Sequence, residues 1–241
     1  MRYANVVVLT GAGVSAESGV ATFRDPGGVW ARYDYREVAT PEGFAANPDL
    51  VHEFYNARRA GLADVEPNAA HYALAAWERA QVDAGGAFTL VTQNVDDLHQ
   101  RAGSTAILAM HGSLVRSLCG VCGDRRDCRR DLAVSDRCAA CGARGAVRPD
   151  VVWFGETPYL LDEIDEAMAG ADLFVSIGTS GAVYPAAGLV AQARALGVAT
   201  VELNLEPSDN ASLFSAARYG PASVIVPAFV DAVLNDRFDG A

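Results

Sequence analysis

Four cysteines of the chain are spaced as two close pairs, a pattern that is typical of metal binding. The pairs are Cys119 with Cys122 and Cys138 with Cys141. Two Cys-x-x-Cys pairs at this separation supply four thiolates at the corners of a tetrahedron, the arrangement that zinc prefers. Because four thiolates leave no open position for water or substrate, the predicted zinc ion is structural. The alternative, four buried or disulfide-linked cysteines, is uncommon in a reducing compartment.

A glycine-rich turn near the N-terminus could hold phosphate groups. Residues 11–16 (GAGVSA) follow the apolar run 5–10 and fit the G-x-G-x-x-G/A pattern, in which small residues let the backbone approach a pyrophosphate. A tight strand-to-helix turn is the alternative, but the position after an N-terminal strand favours dinucleotide binding. A dehydrogenase of this type needs a second strand that ends in an acid about twenty residues later. Residues 22–28 (TFRDPGG) indicate a loop instead, which counts against hydride transfer.

Polar or small residues also follow four later apolar runs. They are residues 93–99 (QNVDDLH) after the run 88–92, His111 after 107–110, residues 178–180 (GTS) after 173–177, and residues 204–206 (NLE) after 200–203. Because open α/β sheets bind ligands at the carboxyl ends of their parallel strands, we expect these residues to meet at one sheet edge. Each has a structural alternative. Asn94 or Asp96 could cap a helix, the small residues could make turns, and a lone histidine such as His111 is more often structural.

These residues need a scaffold, and the apolar runs indicate which one. Short, nearly continuous apolar runs alternate with helical stretches, which predicts βαβ units and a doubly wound parallel α/β sheet. The predicted strands are 5–10, 88–92, 151–154, 173–177, 200–205 and 223–226, and the predicted helices are 48–62, 71–82, 164–169 and 186–196.

Two segments interrupt the alternation. The first, from about residue 20 to residue 68, has no predicted strand; it is rich in Gly and Pro at its start and then contains the predicted helix 48–62. The second, 116–148, holds all five cysteines, many arginines and few large apolar side chains, so something other than a core must stabilise it. We interpret it as a small zinc-binding insert in which Cys128 is a spare thiol. Its arginines could contact a partner, although a solvated surface is the commoner explanation.

Composition excludes several classes of function. The formal net charge is -11, which argues against sequence-independent binding to nucleic acid or to an anionic membrane. All 19 basic residues are arginine, which excludes a Walker-type lysine and a Schiff-base lysine. No signal peptide or membrane-spanning run is evident, so we expect a soluble, cytoplasmic and monomeric protein.

Taken together, the glycine-rich motif, Phe23-Arg24, the QNVDDLH segment, His111-Gly112, the cysteine pairs and the GTS and NLE segments resemble the sirtuin family. The resemblance implies a Rossmann-like NAD-binding domain (residues 1–30, 69–115 and 149–241), a helical insert (31–68) and a zinc module (116–148). It also implies an NAD-dependent deacylase acting on acylated protein lysines. NAD would be consumed, and the products would be nicotinamide, 2′-O-acyl-ADP-ribose and free lysine.

The resemblance also implies roles for individual residues. His111 would be the general base, and the backbone of Val151, Val152, Trp153, Phe154 and Gly155 would pair with the substrate peptide. The NAD-binding residues would be Gly11, Ala12, Gly13, Ser15, Ala16, Phe23, Arg24, Trp30, Gln93, Asn94, Val95, Asp96, Gly178, Thr179, Ser180, Asn204, Leu205, Glu206 and Ala222.

Residues 53–59 (EFYNARR) resemble the class III branch of the family, which prefers succinyl, malonyl or glutaryl lysine. Tyr55 and Arg58 are three residues apart and so share a helix face. An arginine fork can bind a carboxylate while the phenol donates a further hydrogen bond. The alternative is a solvated helix in which Arg58 stays in water.

Three other functions are compatible with part of the pattern. They are an inactive nucleotide fold that acts as a zinc-ribbon scaffold, an ADP-ribosyltransferase and, least of all, a dehydrogenase. Release of nicotinamide in the presence of an acyl-lysine peptide separates the deacylase from the scaffold.

Overall fold

The computed structural model describes residues 3–22 and 28–238. The strands are β1 (Asn5–Thr10), β2 (Ala87–Thr92), β3 (Ile107–Ala109), β4 (Gly112–Cys119), β5 (Arg125–Asp127), β6 (Val147–Val151), β7 (Leu173–Ile177), β8 (Ala199–Asn204) and β9 (Ala216–Tyr219). The α-helices are α1 (Gly13–Ala16), α2 (Val29–Arg32), α3 (Tyr35–Val38), α4 (Pro41–Ala46), α5 (Pro48–Gly61), α6 (Ala69–Asp83), α7 (Leu98–Arg101), α8 (Leu161–Ala169), α9 (Leu189–Ala195) and α10 (Ala222–Leu234). Short 3₁₀ helices cover Leu62–Asp64, Ala186–Gly188 and Ala211–Leu213.

Six strands form a parallel sheet in the order β3-β2-β1-β7-β8-β9. Along β1, Val6 and Val8 pack on one face with α6 and α10, while Val7 and Leu9 pack on the other with α8 and α9. Burial on both faces explains why the strand is apolar at consecutive positions. The predicted doubly wound α/β sheet is confirmed. Its strand order reverses between β1 and β7, which is where such sheets bind ligands.

A second, antiparallel sheet has the order β5-β4-β6. In the sequence, its strands are inserted between β3 and β7 of the main sheet. Beside it, α2 to α5 surround a separate apolar cluster that includes Phe54 and Tyr55 of α5, Leu114 of β4 and Trp153. No strand occurs among the described residues between 20 and 68, as predicted. The two inserts therefore share an apolar cluster of their own, separate from the core of the parallel sheet.

Two of the predicted strands are wrong. The apolar run 151–154 is not a strand of the main sheet, because Val151 ends β6 and pairs with Gly112 in the small sheet. Trp153 is apolar because it packs among the inserted helices. The run 223–226 lies in α10, where Val226 and Phe229 pack toward α6, so tertiary packing overrides the β-propensity of its residues.

No helix in the described part of the chain is long and apolar enough to cross a lipid bilayer.

Candidate active site

Two glycine turns interlock at the carboxyl ends of β1 and β7. Gly13 donates its backbone N–H to the carbonyl of Gly178 over 2.9 Å. A Cβ on Gly13 would lie 2.8 Å from the Cα of Gly178, and one on Gly178 would lie 2.5 Å from the nitrogen of Val14. Gly178 also has a φ of +62°, which favours glycine. Backbone therefore packs directly on backbone at this contact, and neither glycine can carry a side chain without moving the two turns apart.

A cleft of about 710 Å³ opens above these turns and extends beneath the inserted helices. Its volume lies in the range of small-molecule sites. The structure brings most of the predicted site residues into its wall. They are Gly11, Ala12, Gly13, Ala16, Gln93, Asn94, Val95, Gly178, Thr179, Ser180, Asn204, Leu205, Glu206 and Ala222 of the expected NAD set, His111, and Tyr55, Arg58 and residues 151–155 of the expected substrate set.

Ser15 and Asp96, also predicted to bind NAD, lie behind this wall. Ser15 is fully buried, accepts a hydrogen bond from Asn94 Nδ2 over 3.2 Å and lies 3.4 Å from His71 Nε2. Burial raises the pKa of Asp96, although hydrogen bonds from the Leu98 N–H and from Ser15 oppose the shift. Burial lowers the pKa of His71 to about 4, so this imidazole is neutral at pH 7. The layer holds Asn94 from beneath.

His71 is a member of this layer that the sequence analysis did not identify. It lies in the first turn of α6, where its Nδ1 accepts the backbone N–H of Asn68. Its ring lies 4.8 Å from that of His99, whose Nε2 is 3.1 Å from Thr10 Oγ1. Asn68 is a common helix N-cap residue, but His71 stands where the usual capping box has Glu or Gln, so little in the sequence indicates its role. The proximity of His71 to the glycine turn depends on tertiary structure.

His111 is held by the backbone on both sides. Its Nδ1 lies 3.1 Å from the carbonyl oxygen of Gln93. A carbonyl can only accept, so Nδ1 carries the proton and Nε2 is the basic nitrogen. The next residue, Gly112, has a φ of +82°, and a Cβ there would lie 2.1 Å from the carbonyl oxygen of Asp150. Burial lowers the pKa of His111, and the hydrogen bond to Gln93 opposes the shift only in part. The ring is therefore a neutral base at pH 7.

Tyr55 and Arg58 of α5 both line the cleft. The Tyr55 side chain is 2% exposed, and its hydroxyl accepts the indole N–H of Trp153 over 3.0 Å. Burial raises the pKa of Tyr55 to about 12, so the phenol keeps its proton and can donate it. Arg58 is half-buried with its guanidinium 5.4 Å from the ring centre of Phe54. Burial lowers the pKa of Arg58, yet a guanidinium stays charged at neutral pH.

The segment after β6 forms a further part of the cleft wall, next to α5. The backbone N–H of Val152 donates to the carbonyl of His111, and that of Phe154 donates to the carbonyl of Ala39, both over 2.9 Å. The N–H of Trp153 donates to Glu156, which also pairs with Arg148. Hydrogen bonds from three successive N–H groups thus anchor the segment, and residues 151–155 line the cleft.

Several lining residues were not predicted. They are Glu17, Thr22, Ala39, Glu156, Pro158, Val183, Tyr184, Leu203, Pro207, Ser208, Asp209, Gly220 and Pro221. Gly220 and Pro221 follow β9, whose sequence AARY lacks the apolar run by which the other strands are identified. Tyr184 is 77% exposed and lies at the mouth of the cleft. Phe23 and Arg24 lie outside the described residues, as does the side chain of Trp30.

The four paired cysteines converge in the small sheet, as expected. All four Sγ atoms lie within 4.8 Å of one another, with 3.8 Å between Cys119 and Cys141 and 3.6 Å between Cys122 and Cys138. A tetrahedral zinc ion with Zn–S bonds of about 2.3 Å requires S–S separations of about 3.8 Å. The cluster therefore fits zinc, and its closed set of thiolates makes the site structural.

Comparison with known proteins agrees with this arrangement. The model of the Sir2 family matches residues 11–185. The NAD-dependent protein deacylase of Caulobacter vibrioides is 58% identical over 95% of this chain and 96% of its own length. That of Salmonella typhimurium is 52% identical over 98% and 86%. A crystal structure of a Sir2 homolog–NAD complex superposes with a TM-score of 0.88 at 36% identity, covering 98% of this chain and 91% of the other. The chain belongs to the Sir2 family, the sirtuins.

Proposed function

We propose that this chain is an NAD-dependent protein-lysine deacylase that removes acetyl groups and, with preference, succinyl and malonyl groups. One observation carries the proposal. The imidazole of His111, a surface of glycine turns, and the pair of buried Tyr55 and half-buried Arg58 line the same cleft. The names of the relatives support NAD-dependent deacylation, and the Tyr55–Arg58 pair supports the acidic acyl preference.

The dinucleotide half of the cleft is suited to NAD. The small residues Gly11, Ala12, Gly13 and Gly178 line this part of the cleft, where a pyrophosphate could approach the backbone closely. Asn204 donates its Nδ2 to the carbonyl of Thr179 over 2.8 Å, which orders the turn on the adenosine side. NAD supplies an electrophilic ribose carbon and, after nicotinamide leaves, the hydroxyl that receives the acyl group.

His111 acts as the general base of the reaction. Because Nδ1 donates to Gln93, Nε2 is free to take a proton from a ribose hydroxyl, and that oxygen becomes nucleophilic toward the acyl carbon. The lowered pKa keeps the imidazole unprotonated at pH 7. The backbone of Val152, tied to the carbonyl of His111, holds the substrate wall in register with the base.

Arg58 and Tyr55 bind the distal carboxylate of a succinyl or malonyl group. A partly buried guanidinium provides a charge-assisted fork, and the protonated phenol adds a neutral donor. The acyl-lysine peptide would lie along the backbone of residues 151–155 as an added strand. The zinc ion held by the four cysteines would stabilise the small sheet and take no part in the chemistry.

Mass spectrometry of reactions on matched peptides tests the proposal. Wild-type protein, NAD and one peptide carrying either acetyl-lysine or succinyl-lysine should give free lysine, nicotinamide and the corresponding 2′-O-acyl-ADP-ribose, with higher kcat/KM for the succinyl peptide. ADP-ribose attached to protein would instead indicate a transferase. Absence of nicotinamide release would indicate a scaffold.

A further inference from the structure

Helix α5 presents two overlapping pairs of polar side chains with different surroundings. Tyr55 and Arg58 line the cleft. One residue further along, Asn56 and Arg59 are also three apart and so share a face, rotated from the first by about 100°. That second face contacts β4 and the cysteine module, the segment 116–148 that holds all five cysteines. Any shift of the second pair is therefore transmitted through one helical turn to the first.

Asn56 joins α5 to the loop that follows β5. Its Nδ2 donates to the carbonyl of Leu132 over 2.8 Å, and its Oδ1 accepts the Leu132 N–H over 2.9 Å. The side chain of Leu132 is buried among the cysteines, in contact with the cluster that contains Cys119 and Cys138. The backbone of one residue thus links the packing around the thiolates to the helix that carries Arg58.

Arg59 completes the connection on the other side. It is 4% exposed, and it donates from Nη1 to Asn56 Oδ1 over 2.8 Å and from Nε to the carbonyl of Leu114 over 2.7 Å. Leu114 in turn donates its N–H to the carbonyl of Val95, which lines the cleft beside Asn94. A buried guanidinium held by two neutral oxygens contributes position rather than charge to the site.

We propose that Asn56 and Arg59 are positioning residues that fix Tyr55 and Arg58 against the cleft, so that the cysteine module sets the selectivity for acidic acyl groups. The inference rests on the proposed function, since it concerns recognition of the distal carboxylate. An acetyl group has no distal carboxylate to bind Tyr55 and Arg58, so turnover of an acetyl peptide is insensitive to small displacements of α5.

Steady-state kinetics on matched succinyl and acetyl peptides test the inference. In Asn56→Ala, kcat/KM for the succinyl peptide should fall about tenfold, mainly through KM, while the acetyl value stays within about twofold of wild type. Arg59→Lys keeps the charge but loses the fork between Leu114 and Asn56, and it should show the same selective loss. Asn56→Asp keeps the two acceptor contacts of Oδ1 but sets a carboxylate oxygen against the Leu132 carbonyl, so its succinyl activity should lie between those of Asn56→Ala and wild type. Glu53→Ala, an exposed change on the same helix, is the matched control and should leave both values unchanged.

Melting temperature and zinc content, measured on each variant, separate positioning from loss of fold. An equal fall for both peptides in the folded variants, or an unchanged ratio, would overturn the positioning role. Arg58→Met is run in parallel. If it abolishes the succinyl preference and Asn56→Ala and Arg59→Lys do not, only the positioning role is wrong. If Arg58→Met leaves the preference intact, carboxylate recognition by Arg58 and the inference both fail.

Discussion

Replacing Arg58 with methionine isolates the contribution of one guanidinium to acyl recognition. Methionine is similar in length and apolar, so the space beside Phe54 and Tyr55 stays filled while the charge is lost. In the folded protein the guanidinium is half-buried, 5.4 Å from the Phe54 ring, and the neighbouring phenol is 2% exposed. A carboxylate bound there is largely removed from water.

The magnitude follows from the type of contact. A hydrogen bond to a charged group contributes about 1.5–3 kcal/mol, which corresponds to a loss of roughly 10-fold to 150-fold in kcat/KM for a succinyl peptide. An acetyl group has no carboxylate, so the same substitution should change its kcat/KM by less than about threefold.

Nicotinamide release, followed on peptides that differ only in the acyl group, measures both values. Arg79→Met, an exposed change on α6, controls for the loss of one positive charge from the protein. Parallel losses on both peptides would show that Arg58 supports the fold or the NAD site. No loss on either peptide would show that the distal carboxylate binds elsewhere.

Three further predictions concern the base, the metal and the turn that carries the base. His111→Ala should abolish turnover with little change in melting temperature. In wild type, the acidic limb of kcat/KM should lie below pH 6.5, because burial lowers the pKa of His111 and the base is lost only as pH falls through that lowered value. An acidic limb above pH 6.5 would contradict the assignment of His111 as the base. Metal analysis should find about one zinc per chain. Removal of that zinc should unfold the small sheet, which would appear as loss of amide-exchange protection in its strands. An unchanged pattern of amide exchange after zinc removal would contradict a structural role. Gly112→Ala should lower the melting temperature by at least about 2–4 °C and should lower kcat more than it changes KM. The reason is that the added Cβ would collide with the Asp150 carbonyl and displace His111. A variant with wild-type kcat would refute the claim that this turn positions the base.

The parts of the fold that were predictable are those that local pattern alone determines. Strands β1 and β7 match their predicted bounds because both faces of each are buried, which requires apolar or small residues at every position but Asn5, the half-buried first residue of β1. The run 223–226 has the same composition, yet it packs against α6 as a helix, and only the tertiary contacts distinguish the two cases. β9 has no apolar run, so its pairing with β8 was not predictable.

The site was predictable to the extent that one rule of sheet topology applies. Residues that follow parallel strands meet at one edge, and this brought the segments around Gly13, Asn94, Gly178 and Asn204 into the same cleft. The rule does not distinguish a residue that lines the cleft from one behind it, which is why Ser15 was expected at the surface. His71 lies on helix α6 and does not follow a parallel strand, so the rule could not identify it.

The two halves of the cleft differ in what they are made of, and this decides how each can vary. The dinucleotide half depends on backbone contact between glycine turns, where any added Cβ collides with main-chain atoms. The acyl half is made by side chains of α5, which packs in its own cluster with Leu114 and Trp153, apart from the core of the parallel sheet. A substitution in α5 can therefore change acyl preference without disturbing the dinucleotide surface, whereas a substitution at Gly13 or Gly178 must move both turns. Under the proposed function, the inserted helix α5 therefore sets acyl selectivity and the edge of the parallel sheet binds NAD.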